Sequence, residues 1–231
     1  MPELLGTPLF NHANLQEYYT LEDANADKNG NNLTNNGSVT FSAAQFNNGA
    51  NFGSANSTKS LELTSALSYT GGAYSIVGWL KLLAEIGSGV WGIFFLQEST
   101  SDTQFHINYQ YNSGTPQLAF IRNKFGGASQ SFTYNITLGT TDFYHLAICY
   151  DGSNFIGYVN GVNVGNANAS GSGSVGIVNR FKIGAIDDGS GGESAFASIL
   201  ADDVALFNTQ LTQEEVLQHY RGTLGGYISI N

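Results

Sequence analysis

The chain has 231 residues, and 8 Lys and Arg against 18 Asp and Glu leave a net charge of −10. That balance excludes the basic footprint of a nucleic-acid binder and opposes docking on anionic lipid. Only 11% of residues are charged, against about 25% in typical domains, while Gly reaches 29 and Pro only 3, which suits a β-rich body with many turns.

The first residues, MPELLGTPLFNH, carry neither a basic leader nor a long apolar run, so no secretory signal is read there. A polar stretch, EDANADKNGNNLTNNGS (22–38), shows no apolar periodicity. Strand-like segments follow: SVTF, LEL (61–63), YSIVGWLKL (74–82) and VWGIFFLQ (90–97). Residues 74–96 together are nearly long enough to span a bilayer. Lys81, Glu85 and the Gly-Ser-Gly at 87–89 lie inside, and mid-membrane charge is costly. The segment therefore reads as two buried strands with a turn, and no membrane insertion is expected.

QFHINYQY (104–111) alternates: Phe105, Ile107, Tyr109 and Tyr111 share one face, and His106, Asn108 and Gln110 the other. QLAFIRN (117–123) and SQSFTYNITL (129–138) precede FYHLAICYDGSNFIGYVNGVNVG (143–165). There, Tyr144, Leu146, Ile148 and Tyr150 face one way and Phe143, His145, Ala147 and Cys149 the other, which marks a strand covered on both sides. Asp151-Gly152 and Asn160-Gly161 then supply the two turns of a three-stranded meander, the second a type I′ hairpin. His145 accordingly reads as a core histidine, and Cys149, the only cysteine, as a small buried hydrophobe.

RFKIGAI (180–186), ILADDVALF (199–207) and GYISI (226–230) complete about a dozen short strands, the pattern of a β-sandwich or barrel. One helix is predicted over about 212–221. Thr212 and Glu215 form a capping box, Leu211, Val216 and Tyr220 lie on one side, and Gly222 is the expected stop. The helix is expected to pack against the sandwich end. No linker divides the chain, so residues 1–231 are expected to form a single domain.

The run from Tyr144 through Asp151-Gly152 to Tyr158-Val159-Asn160-Gly161 resembles the signature of the laminin-G-like, concanavalin-A-like jelly-roll family, with Phe143 where the family has Trp. YSIVGWLKL, FKIGAID and ADDVALFNTQLTQEEV resemble further family segments in the same order. The resemblance covers about residues 15–221. It implies an all-β, two-sheet antiparallel jelly-roll sandwich with one short C-terminal helix. The superfamily hosts lectins, adhesion modules and some glycosidases, so the fold leaves function open.

The glucan-cleaving branch places carboxylates at alternate positions of one strand, which puts acid and nucleophile on one face about 5 Å apart. No such run occurs here. Asp187-Asp188, Asp202-Asp203 and Glu214-Glu215 are adjacent pairs, and adjacent strand residues point to opposite faces. No catalytic residues are assigned, and the chain is expected not to be an enzyme.

Alternation puts Asp202 in an apolar row with Leu200, Val204 and Leu206, and a buried charge needs a partner. Family resemblance implies a structural calcium between this Asp and an early loop, here Asp27-Lys28-Asn29-Gly30-Asn31. Asp27, Asn29 and Asp202 are the expected metal ligands, and oxygen donors of this kind suit calcium.

The leading expectation is a lectin-like binding or adhesion module for glycan or protein surfaces; the sequence does not identify its location, with a virion or a cell surface as the candidates. The alternative is a viral or phage structural protein that oligomerises or attaches to a larger particle such as a virion. A glycosidase of unrecognised type stands third. The ligand-binding residues are not identified by the sequence.

Overall fold

Apolar–polar alternation becomes strand along most of the chain. A computed structural model describes residues 12–25, 29–53, 58–63, 67–68, 72–98, 103–124, 129–169, 177–187 and 192–224. Asp27 and the expected strand at 226–230 lie outside the described residues.

In chain order the strands are β1 (Leu15–Tyr19), β2 (Thr34–Asn36), β3 (Thr40–Ala43), β4 (Asn48–Asn51), β5 (Ser60–Leu63), β6 (Leu67–Ser68), β7 (Tyr74–Leu82), β8 (Gly89–Glu98) and β9 (Thr103–Asn112). They continue with β10 (Thr115–Lys124), β11 (Gln130–Asn135), β12 (Tyr144–Tyr150), β13 (Asn154–Val159), β14 (Val162–Asn168), β15 (Ile177–Ile183), β16 (Ile186–Asp187), β17 (Glu193–Ser194) and β18 (Ile199–Phe207). The helix α1 (Gln213–Leu224) follows.

Two antiparallel eight-stranded sheets result. The first runs β14-β13-β12-β7-β18-β4-β3, with β1 also on β18; the second runs β11-β10-β9-β8-β15-β5-β2, with β6 also on β15. This is the expected jelly-roll sandwich. The segment 74–96 forms β7 and β8, one in each sheet.

The main core lies between the sheets. Leu146, Ile148 and Tyr150 from β12 meet Phe105, Ile107 and Tyr109 from β9 there. Arg122 is buried with them. Its guanidinium lies 5.1 Å from the Phe105 ring centre and 5.0 Å from that of Tyr150, and Nη1 donates to the Ala169 carbonyl. Stacking on two rings and bonding a carbonyl compensates the desolvated cation.

A second apolar cluster covers the outer face of the first sheet. Val77, Ala147, Cys149, Ala205 and Phe207 meet Leu15 and Tyr18 of β1 and Leu211 and Val216 near the helix start. The helix therefore lies on a sheet face rather than at the sandwich end. Its capping box forms as expected: Glu215 N–H donates to Thr212 Oγ1 at 3.2 Å, and Thr212 N–H donates to Glu215 Oε2 at 2.7 Å. Gly222 does not end it, since glycine inside a helix costs only about 1 kcal/mol and the helix continues to Leu224. The hairpin at Asn160 (φ 50°) and Gly161 (φ 75°) has the two positive φ angles its turn requires.

Candidate functional site

Asp202 and Asp203 depart from simple alternation. Register passes from Asp202↔Trp79 to Ala205↔Val77, so two residues of β18 oppose Gly78. Asp203 takes up the extra residue at φ 46°, as a β-bulge requires. Val204 and Leu206 consequently join the inner core with Ala201, not a face with Asp202. Asp202 lies opposite Trp79 on the outer side.

Both carboxyls are buried. Phe46 N–H donates to Asp202 Oδ2 at 2.7 Å, and the Tyr18 hydroxyl donates to Asp203 Oδ1 at 2.7 Å. Asp202 Oδ1 has no hydrogen-bond partner. Burial, then the Asp203 and Glu22 charges, hold the Asp202 carboxyl well above the usual range, against the lowering effect of the Phe46 N–H.

The early loop is anchored elsewhere. The Asn29 side chain donates to the Gln16 carbonyl, and the Asn31 side chain donates to Glu17. Glu17 is buried on β1, and desolvation pushes its carboxyl up to about 7. Its alternation gave no hint of this contact, because the partner lies across a loop. The orphaned oxygen of Asp202 is a hard donor of the kind calcium takes, but a single such oxygen is short of the six to eight that ion requires. Among the described residues, no group of three or more His, Cys, Asp or Glu could hold a metal ion.

His145 is buried, and its Nε2 lies 2.9 Å from Nδ1 of His219 on α1. Burial, and then the His219 charge, hold His145 well below the usual histidine range. Burial also pushes the Cys149 thiol up to about 12, unlike a reactive thiolate.

A different face holds unpaired polar groups. Because Phe105, Ile107 and Tyr109 point into the core, Gln104, His106 and Asn108 on β9 point out of the second sheet. Cross-strand register sets Phe95 and Ile121 beside His106, Gly92 and Ala119 beside Asn108, and Gln117 beside Gln110. His106 is 4% exposed, Asn108 4% and Gln117 5%. His106 Nδ1 and Nε2, Asn108 Oδ1 and Gln117 Nε2 nevertheless have no hydrogen-bond partner. Desolvation lowers the His106 pKa to about 4, so the ring is neutral at pH 7.

Ser131, Thr133 and Asn135 of the edge strand β11 continue this face into solvent. On the other side Ala185 and Ile186 lie against Gly92, where a Cβ would come within 2.5 Å of Ile186 Cγ2. Charges at that end neutralise one another: Lys182 Nζ lies 3.2 Å from Glu193 and 3.8 Å from Glu62, and Arg180 Nε lies 3.2 Å from Glu62. The alternation placed His106 and Asn108 on one face; that they are buried without partners was not legible.

A family model described as the concanavalin A-like lectin/glucanases superfamily matches residues 33–217. No curated protein matches the sequence. Among solved structures, the botulinum neurotoxin serotype G binding domain superposes with TM-score 0.64 at 14% identity, over 88% of this chain and 50% of that one. The botulinum neurotoxin DC binding domain in complex with rat synaptotagmin II gives 0.69 at 12% identity, over 91% and 52%. The same domain in complex with SialylT gives 0.69 at 11%, over 91% and 52%. The chain thus spans about half the length of these domains. Among the described residues, no helix is long and apolar enough to cross a membrane.

Proposed function

The chain belongs to the concanavalin A-like lectin/glucanases superfamily, and within it we propose that the protein is a non-catalytic recognition module that binds glycan on the outer face of its second sheet. One observation carries this reading: beneath this face His106, Asn108 and Gln117 hold donors and acceptors that no protein group satisfies and that a ligand would reach once their cover shifts. Leaving such groups unpaired costs about 1–3 kcal/mol each, a cost a hydroxyl-rich ligand offsets because every hydroxyl both donates and accepts. The imidazole is neutral and the chain carries −10, so an uncharged saccharide suits the face better than an anionic one. Similarity to domains solved with SialylT and with synaptotagmin supports recognition of glycan or protein partners.

The non-catalytic part is supported by the carboxylates. Asp202 and Asp203 are buried against Phe46 and Tyr18, and Glu215 caps the helix. A calcium held by Asp202 with the Asp27–Asn31 loop remains the structural part of the proposal. It would tie the early loop to β18 and take no part in ligand chemistry.

The test is a screen of neutral oligosaccharides by glycan array, followed by calorimetry on the hits. Asn108→Leu and Gln117→Leu should each lower affinity at least tenfold while thermal unfolding stays cooperative. Binding that survives both substitutions moves the site elsewhere. Binding of proteins but of no glycan replaces the glycan reading with the protein one.

A further inference from the structure

We propose that His145 and His219 form an acid-operated latch that holds helix α1 on the first sheet near neutral pH and releases it on protonation, uncovering the face that carries Trp79 and Cys149. The two rings lie 5.0 Å apart, with Nε2 of His145 2.9 Å from Nδ1 of His219. An N–H···N bond needs one unprotonated nitrogen as acceptor. Once both rings are charged, two donors face each other and repel.

The latch is enclosed by aromatic rings. Trp79 meets His145 edge-on at 5.3 Å, and Tyr220 of the helix stacks on Trp79 at 5.5 Å. Burial lowers the His219 pKa to about 4 and holds His145 well below its ordinary value. A proton is therefore taken up more readily when the helix lifts and water enters.

Among the described residues, no carboxylate acts on either ring of the pair. Cys149 on the same face of β12 and Tyr158 on β13 have pKa values pushed up to about 12 by burial, and are neutral. Asp202 of β18 lies beyond Trp79 and is held toward its protonated form, with Asp203 bonded to Tyr18. Lys81 of β7 sits over the Phe143 ring at 5.1 Å. Glu215, one turn before His219, is engaged by Thr212 and by His12, whose Nε2 lies 3.3 Å away. Glu214 and Arg221 of the helix are exposed.

The described anchors of the helix all lie on the outer face of the first sheet: Val216 is buried there, Leu211 precedes it, and Leu217 and Tyr220 abut Gly161. Loss of the latch therefore frees the helix without dismantling the core between the sheets, as expected for a locally opening unit.

Cys149 reports the event, because it is the only cysteine and lies buried in the outer apolar cluster to which Leu211 and Val216 near the helix start belong. Its labelling by a dipyridyl disulfide, normalised to a free thiol at each pH, is measured from pH 7.5 to 4.5 alongside far-UV circular dichroism. The latch requires at least a tenfold acceleration between pH 6.5 and 4.5 with the β signal retained. His145→Gln and His219→Gln, which keep a hydrogen-bonding side chain without a titrating one, should abolish the acid step. A flat rate in the parent, a rise that appears only with loss of the β signal, or a step that persists in both variants overturns the proposal. If a variant does not fold, hydrogen exchange on the parent decides: at pH 4.5 the amides of α1 must lose protection tenfold relative to β12, and equal protection overturns it.

Discussion

Asp202 and Asp203 are consecutive residues of β18 whose buried carboxyls sense each other electrostatically, because a bulge at Asp203 breaks the alternation that would separate them. Two like charges in one buried site favour retention of a proton. Phe46 and Tyr18 each satisfy one oxygen, one per carboxyl.

The first prediction follows from that pair. A carboxyl whose folded pKa is raised contributes stability that is complete in acid and is lost as pH rises through the folded value. Without calcium, Asp202→Asn should therefore raise the melting temperature relative to the parent at pH 8, and the gain should vanish near pH 4. If calcium binds there, the parent gains about 2.7 kcal/mol at a hundredfold excess over Kd, and Asp202→Asn loses that gain. Asp203→Asn should also alter the response, since the two carboxyls are coupled. Melting curves with calcium and with chelator, at both pH values, measure all three.

The second prediction concerns Gly161. Its φ is 75°, and a Cβ there would lie 2.7 Å from Leu217 Cδ1 and 3.3 Å from Tyr220 Cδ1. Gly161→Val adds a β-branched side chain at positive φ and pushes on the helix. A loss of about 1–3 kcal/mol is expected, measured by denaturant unfolding, with faster amide exchange in α1.

The third prediction separates stability from recognition. His106→Leu and Gln117→Leu remove buried polar atoms that have no protein partner. Each should leave stability unchanged or raise it by about 1 kcal/mol, while glycan affinity falls. Such opposition is expected where a site is kept for function. A loss of stability from both would show these side chains to be structural.

The fourth prediction concerns turnover. Incubation with β-glucans, chitin or sialosides should release no reducing sugar or free sialic acid above a buffer control. Steady release that disappears in Asp202→Asn or Asp203→Asn would overturn the non-catalytic reading.

Local sequence determined much of this molecule. Alternation at 104–111 and 143–150 set which side chains face the core, since successive strand residues point oppositely whatever the strand pairs with. Asn160-Gly161 dictated its turn because few other residues tolerate two positive φ angles, and Thr212 with Glu215 dictated the helix start. Tertiary structure decided the rest. The bulge at Asp203 exists only against β7, the Asn31 contact of Glu17 only across a loop, and the His145–His219 pair joins residues 74 apart in the chain. Burial of His106 and Asn108 without partners likewise depends on strands and segments remote in sequence. Backbone preferences act within a few residues, whereas burial, pairing and charge coupling arise only when distant segments meet.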